Sequence, residues 1–214
     1  MSDGYRILSL DDIEPVPYHA RDGQKMLTVQ RLLGFRAAGI NAWTGEPGES
    51  LVPEHHEDSA EELYVVVRGR ATFTVDGKSF DAPAGTLVHV SHEETRTAVS
   101  GEPGTIVLAI GATPGEAYRP SGWTSFVVAD ALRREGRLDE ARAAIHEPVE
   151  LFPDAWHAPY NVACFEALAG DADAAFEFLR QAMRVDEQAV RDYAPNDSDL
   201  DSLHDDPRWA ELVG

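Results

Sequence analysis

The chain has 214 residues, 43% of them hydrophobic, with 38 acidic against 18 basic side chains and a formal net charge of −20. That is enough apolar material for one large packed domain or two small ones, and the negative charge opposes binding to a phosphate backbone or an anionic membrane surface. No apolar run reaches the ~20 residues of a membrane span, the acidic start lacks the apolar segment of a secretory signal, and the single cysteine, Cys164, excludes an intrachain disulfide framework. A cytoplasmic protein with no nucleic-acid or membrane partner is expected.

The first half reads as short strands separated by turns. Candidates in chain order are Lys25–Leu33, Gly39–Thr44, Leu51–His55 and the β-branched, aromatic run Leu63–Val67, which Gly69 closes. Ala71–Val75 alternates, placing Ala71, Phe73 and Val75 on one face, and Asp76-Gly77 supplies the two positive-φ positions of a type I′ hairpin. Lys78–Phe80 returns, Pro83-Ala84-Gly85 turns, and Thr86–Val90, Arg96–Ser100 and Thr105–Ile110 complete the series. Short strands at this spacing predict an all-β sandwich or barrel. No helical period longer than two turns precedes Trp123. The stretch Gly111–Gly122 holds three Gly and two Pro, a linker composition, and residues 116–122 are taken as the linker between a β-domain at 1–115 and a helical module at 123–214. Residues 1–122 carry 10 basic and 18 acidic side chains and residues 123–214 carry 8 and 20, so neither half is a basic arm.

The second half reads as paired helices with an internal repeat. Gly136 and Gly170 lie 34 residues apart, as do Ala141 and Ala175. Leu138, Ala141, Ile145, Val149 and Phe152, and then Ala172, Ala175, Phe176, Leu179, Ala182 and Met183, follow three- and four-residue steps on one face. Pro148 removes a backbone bond inside one of these helices and is expected to kink or shorten it, at ~3 kcal/mol if unrelieved. The 34-residue period with a glycine turn resembles a tetratricopeptide repeat. Two repeats make a short stack, so the segment Asp197–Trp209 is expected to cap it through Leu200, Leu203, Trp209 and Leu212. By the same resemblance, Asn161 faces a concave surface that receives a peptide. His146, His157 and His204 share no ligand spacing, and Cys164, beside Ala163 and Phe165, reads as a small core residue.

The chemistry-bearing residues cluster in the first half. Gly48, His55, Glu57, Glu62 and Gly69 follow the pattern G-x6-H-x-E-x4-E-x6-G, and Pro83-x-Gly85 precedes a strand and a turn that leads to Arg96. This spacing resembles the two motifs of the cupins over roughly residues 30–112. The resemblance implies a jelly-roll barrel, a small molecule in its lumen, a homodimer, and a divalent metal held by two His, one Glu and a third His. Members include isomerases, dioxygenases and decarboxylases, so a metal-dependent enzyme is one expectation and a non-catalytic binding protein the other. This sequence departs from the pattern. His55 with Glu57 is the commoner register relative to Glu62, and His56 with Asp58, and Glu54 with His56, are alternatives; no register gives two histidines, because adjacent strand residues face opposite ways. Arg96 stands where the last histidine is expected, and a permanent cation cannot ligate a metal.

Three readings follow. In one, His55, Glu57 and Glu62 hold Mn, Fe, Ni or Zn, with His56 or His92 as alternates; one His with two carboxylates suits the harder ions Mn²⁺ and Fe²⁺. In the second, the site is metal-free: Arg96 pairs with Glu62 or Glu57 and binds an acidic ligand, with Tyr64 and Phe73 lining the pocket. In the third, Glu54–Glu62 is an exposed loop with no site. His89, mid-strand between Val88 and Val90, reads as a surface residue. A peptide or protein partner, or self-association, is expected for the helical module.

Overall fold

Alternation in the first half pairs into two antiparallel sheets. The computed structural model describes residues 6–18, 24–118 and 122–213. Residues 119–121, at the end of the expected linker, lie outside the described residues. The strands are β1 (Val16–Pro17), β2 (Lys25–Leu27), β3 (Gly39–Gly45), β4 (Ser50–His55), β5 (Glu61–Arg68), β6 (Arg70–Val75), β7 (Lys78–Pro83), β8 (Leu87–Val90), β9 (Arg96–Ser100) and β10 (Thr105–Ala112). One sheet has the order β1-β2-β3-β10-β5-β8 and the other β4-β9-β6-β7.

Asp76 (φ 46°) and Gly77 (φ 74°) make the two-residue turn between β6 and β7, where Val75 pairs with Lys78. Gly69, between β5 and β6, has φ 72°, and a Cβ there would lie 2.5 Å from Thr105 Oγ1, so only glycine fits. The expected strand Lys25–Leu33 is corrected: only Lys25–Leu27 is extended, and α1 (Val29–Leu33) follows as a short helix. Gly34, at φ 63°, ends it by donating its N–H to the Arg31 carbonyl.

The second half is helical. Its helices are α2 (Trp123–Arg134), α3 (Leu138–Leu151), α4 (His157–Ala169), α5 (Ala172–Val185), α6 (Glu187–Tyr193) and α7 (Pro207–Leu212), with 3₁₀ turns at Ala194–Asn196 and Ser198–Leu203. Their core gathers Phe126, Ile145, Tyr160, Phe165, Phe176 and Leu179, and Leu200 and Leu203 from the 3₁₀ segment are buried in it, with Trp209 and Leu212 packed alongside. Pro148 does not end α3, which continues to Leu151. Gly122 accommodates its ring: at φ 77°, a Cβ there would fall 2.7 Å from Pro148 Cβ. The chain divides into two compact units, Met1–Arg119 and Pro120–Gly214. No helix among the described residues is long and apolar enough to cross a membrane.

Candidate metal centre

An irregularity in β4 aims the site. Val52 pairs with Ala98 and His55 with Arg96, so three steps along β4 match two along β9. This is a β-bulge, and Pro53, which has no N–H for the ladder, sits inside it. Strict alternation from Val52 would send Glu54 and His56 toward the opposite sheet. The extra residue sends His55 there instead and leaves Glu54 and His56 exposed. Glu62 and Tyr64 come from β5 in the other sheet, two residues apart and therefore on one face.

His55 Nε2 lies 3.4 Å from Glu62 Oε2 and 3.7 Å from Glu57 Oε1. Its Nδ1 is 2.7 Å from the Pro53 carbonyl oxygen, an atom that can only accept, so Nδ1 carries a proton and Nε2 is the nitrogen that faces the carboxylates. Tyr64 donates its hydroxyl to Glu62 Oε2 at 2.5 Å. Arg96 Nε stands 3.1 Å from the same oxygen, an ion pair too oblique to be a hydrogen bond. The rest of the guanidinium is turned aside: Nη1 donates to the Glu94 carbonyl at 3.1 Å and Nη2 to the Ser91 carbonyl at 3.4 Å.

These contacts shift the titrations of the cluster in different directions. Burial by itself lowers the His55 pKa, but the hydrogen bond to Glu62, the Pro53 carbonyl and the Glu62 charge outweigh it, and the net direction is up. Burial would raise Glu62, yet the hydrogen bonds from His55 and Tyr64 and the charges of His55 and Arg96 bring it below its ordinary value. Glu57 is raised, first by burial and then by the neighbouring Glu62 carboxylate. Burial and the Glu62 charge push the Tyr64 phenol up, so it stays a donor. The two carboxylates thus favour a positive charge in the space between them, which is why His55 is raised despite its burial.

The donor atoms of His55, Glu57 and Glu62 all lie within 4.8 Å of one another, a group able to hold a metal ion. The donor chemistry fits a divalent cation: two carboxylates and an imidazole nitrogen whose partner nitrogen is already fixed to a carbonyl. The alternates stand apart from the cluster. His56 is exposed, and His92 is a half-exposed turn residue whose carbonyl accepts from the Glu57 N–H. His89 is on the surface, 3.1 Å from Glu61 Oε2. The three residues expected to contact a ligand are enclosed: Arg96 is 0% exposed, Tyr64 1% and Phe73 0%. Phe73 packs between Tyr64 and Phe80, at centroid distances of 5.5 and 6.0 Å. The hydrogen bond from Tyr64 to Glu62 was not anticipated, although their i, i+2 spacing on one strand was a usable signal.

Residues 42–103 match the family model described as Cupin domain. The chain therefore contains a cupin domain followed by a C-terminal helical region. No curated protein matches the sequence. Among solved structures, a cupin protein from Bacteroides fragilis is 18% identical, with 55% of this chain and 93% of that chain covered and a TM-score of 0.43. A sugar phosphate isomerase from Silicibacter pomeroyi is 22% identical, with coverages of 51% and 77% and a TM-score of 0.44. An RmlC-like cupin from Shewanella frigidimarina is 18% identical, with coverages of 53% and 95% and a TM-score of 0.41.

Proposed function

We propose that the N-terminal unit binds a small molecule at a divalent cation held by His55, Glu57 and Glu62. The observation that carries this reading is the convergence of three donor atoms within 4.8 Å while the Arg96 head group is turned to the carbonyls of Glu94 and Ser91. An imidazole and two carboxylates favour Mn²⁺ or Fe²⁺, with Ni²⁺ and Zn²⁺ as competitors. A bound ion supplies a Lewis acid to an oxygen-bearing ligand. Arg96 is a positioning residue here: its charge, 3.1 Å from Glu62 Oε2, adds to the His55 and Tyr64 contacts that lower the Glu62 pKa. Tyr64 holds that same oxygen from the other sheet. His55 is oriented by Pro53, so its Nε2 does not have to reorganise when a cation replaces the proton.

The metal-free alternative, with an acidic ligand on Arg96, has less support because Arg96 offers no exposed surface and already faces a carboxylate. The reading of the helical region as a tetratricopeptide-like contact module, and of the protein as a homodimer, belongs to the same proposal and rests on the 34-residue period and the cupin resemblance.

Elemental analysis of chelator-stripped protein, reloaded separately with Mn²⁺, Fe²⁺, Ni²⁺ and Zn²⁺, tests the site. About one ion per chain is expected, abolished in Glu62→Gln and in His55→Ala while the circular dichroism spectrum is kept. Stripped protein that takes up no ion from any of the four solutions would overturn the proposal, as would uptake indifferent to both substitutions.

A further inference from the structure

The helical unit carries a cleft whose chemistry differs from that of the His55–Glu62 cluster. A cleft at the C-terminal end of α6 is lined by Asp192, Tyr193, Asn196, Asp197 and Ser198. Tyr193 leads an aromatic corner. Its ring centroid is 5.9 Å from Trp156 and 6.4 Å from Tyr160, at interplanar angles of 61° and 86°, and Trp156 meets Tyr160 at 5.3 Å and 78°. The three rings, inclined to one another by 61° to 86°, form a corner. Tyr193 is 60% exposed, so one of its surfaces is open to a ligand.

The charged side chains that line the cleft, Asp192 and Asp197, are acidic. Asp197 Oδ2 accepts from the Tyr160 hydroxyl at 2.8 Å and the Cys164 thiol at 3.6 Å, and Asp192 Oδ1 accepts from Gln188 Nε2 at 2.8 Å. These donors, together with the Asp199 N–H that donates to Asp197 Oδ1 at 3.0 Å, are neutral, so the bonds fix the carboxylates in place without cancelling their charge. Among the described residues, no lysine or arginine lines the cleft. Cys164, Asp197 and Asp199 also group as metal ligands by distance. However, burial and the Asp197 charge hold the thiol protonated, and it acts as a donor to Asp197 rather than as a thiolate ligand.

We propose that this cleft binds an organic ammonium group, with Tyr193 offering its ring face and Asp192 and Asp197 the counter-charge. Aromatic faces attract alkylated ammonium ions through their quadrupole, and adjacent carboxylates add a longer-range attraction. The shared chemistry is a cationic nitrogen bearing carbon substituents, carried either by a free quaternary amine or by a lysine side chain.

The test is a calorimetric titration of the full-length protein with four probes: tetramethylammonium, choline, N-acetyl-lysine methylamide, and 3,3-dimethyl-1-butanol as the neutral isostere of choline. Saturable millimolar binding of choline or of the lysine derivative is expected, whichever is tighter naming the source, with the neutral isostere at least tenfold weaker. Tyr193→Ala should weaken binding by roughly threefold to thirtyfold, the range a lost cation–π contact implies. Asp192→Asn, at an exposed position that leaves the fold intact, should weaken it as salt does. Absence of binding by every ammonium probe up to about 50 mM would overturn the proposal. So would equal binding of the neutral isostere, or full affinity in Tyr193→Ala. Because Glu62→Gln should not change these titrations, failure here is distinguishable from failure of the barrel site.

Discussion

Arg96 shows how a single residue can be legible in type and illegible in role. Its position in the sequence marks it as the intruder in a histidine motif, and a guanidinium there cannot ligate a metal. Its direction depends on the Glu94 and Ser91 carbonyls, which no spacing rule supplies. Because it is fully buried beside Glu62, removing it alone leaves a mostly buried carboxylate without its permanent counter-charge, held only by Tyr64 and His55. Arg96→Leu should destabilise the protein by about 2–4 kcal/mol. The double change Glu62→Leu/Arg96→Leu should cost less than Arg96→Leu alone, as urea unfolding would read. An additive cycle would deny the coupling.

The same cluster sets a pH dependence in metal-free protein. Glu62 is depressed in the fold, so its contribution is present above its ordinary value of 4.5 and is lost as pH falls through the lowered one. His55 is raised, so its contribution is present below 6.5 and is lost as pH rises through the folded value. The urea midpoint is expected to be highest between these limits, and His55→Gln should remove the alkaline fall and also shrink the acid one, since His55 helps to hold Glu62 down.

Among the elements, those whose cause is local were the readable ones. The β6–β7 hairpin follows from Asp76-Gly77, and the helical pairs follow from three- and four-residue steps. The β4 bulge was not readable. It is a mismatch between two strands some 40 residues apart, and sequence alone left three registers for His55 and His56 open. The short helix α1 was missed although its stop signal, Gly34, is in the sequence, because Met26, Leu27 and Val29 also fit a strand. Between α3 and α4, Arg142 makes two bonds to Glu166, at 3.0 and 2.9 Å, and the Glu166 side chain is 3% exposed. Arg142 itself is 40% exposed, so water can partly replace it. Arg142→Ala should therefore cost about 1–3 kcal/mol. Arg142→Lys should recover only part of that, since an ammonium cannot make both bonds. Thermal unfolding followed at 222 nm would measure both.

For the whole molecule, the net charge of −20 is the dominant electrostatic fact. Self-repulsion of like charges is screened as the Debye length shrinks from about 30 Å at 10 mM salt to about 8 Å at 150 mM. The melting temperature should rise by a few degrees over that range. A fall would mean that exposed ion pairs such as Arg68–Asp11 outweigh the repulsion.

Composition and periodicity, by themselves, determined the β-rich first half, the helical second half, the turns at Asp76-Gly77 and Gly85, and the residue types of the His55–Glu62 cluster. All of these depend on neighbours within a few positions, where backbone sterics and side-chain period act directly. Only the tertiary structure decided that β4 bulges, that His55 and Glu57 rather than His56 face Glu62, that Arg96 turns its head group aside, and that Tyr193, Trp156, Tyr160 and Asp197 meet. Each of these is a contact between residues distant in sequence, settled by how strands register and helices pack.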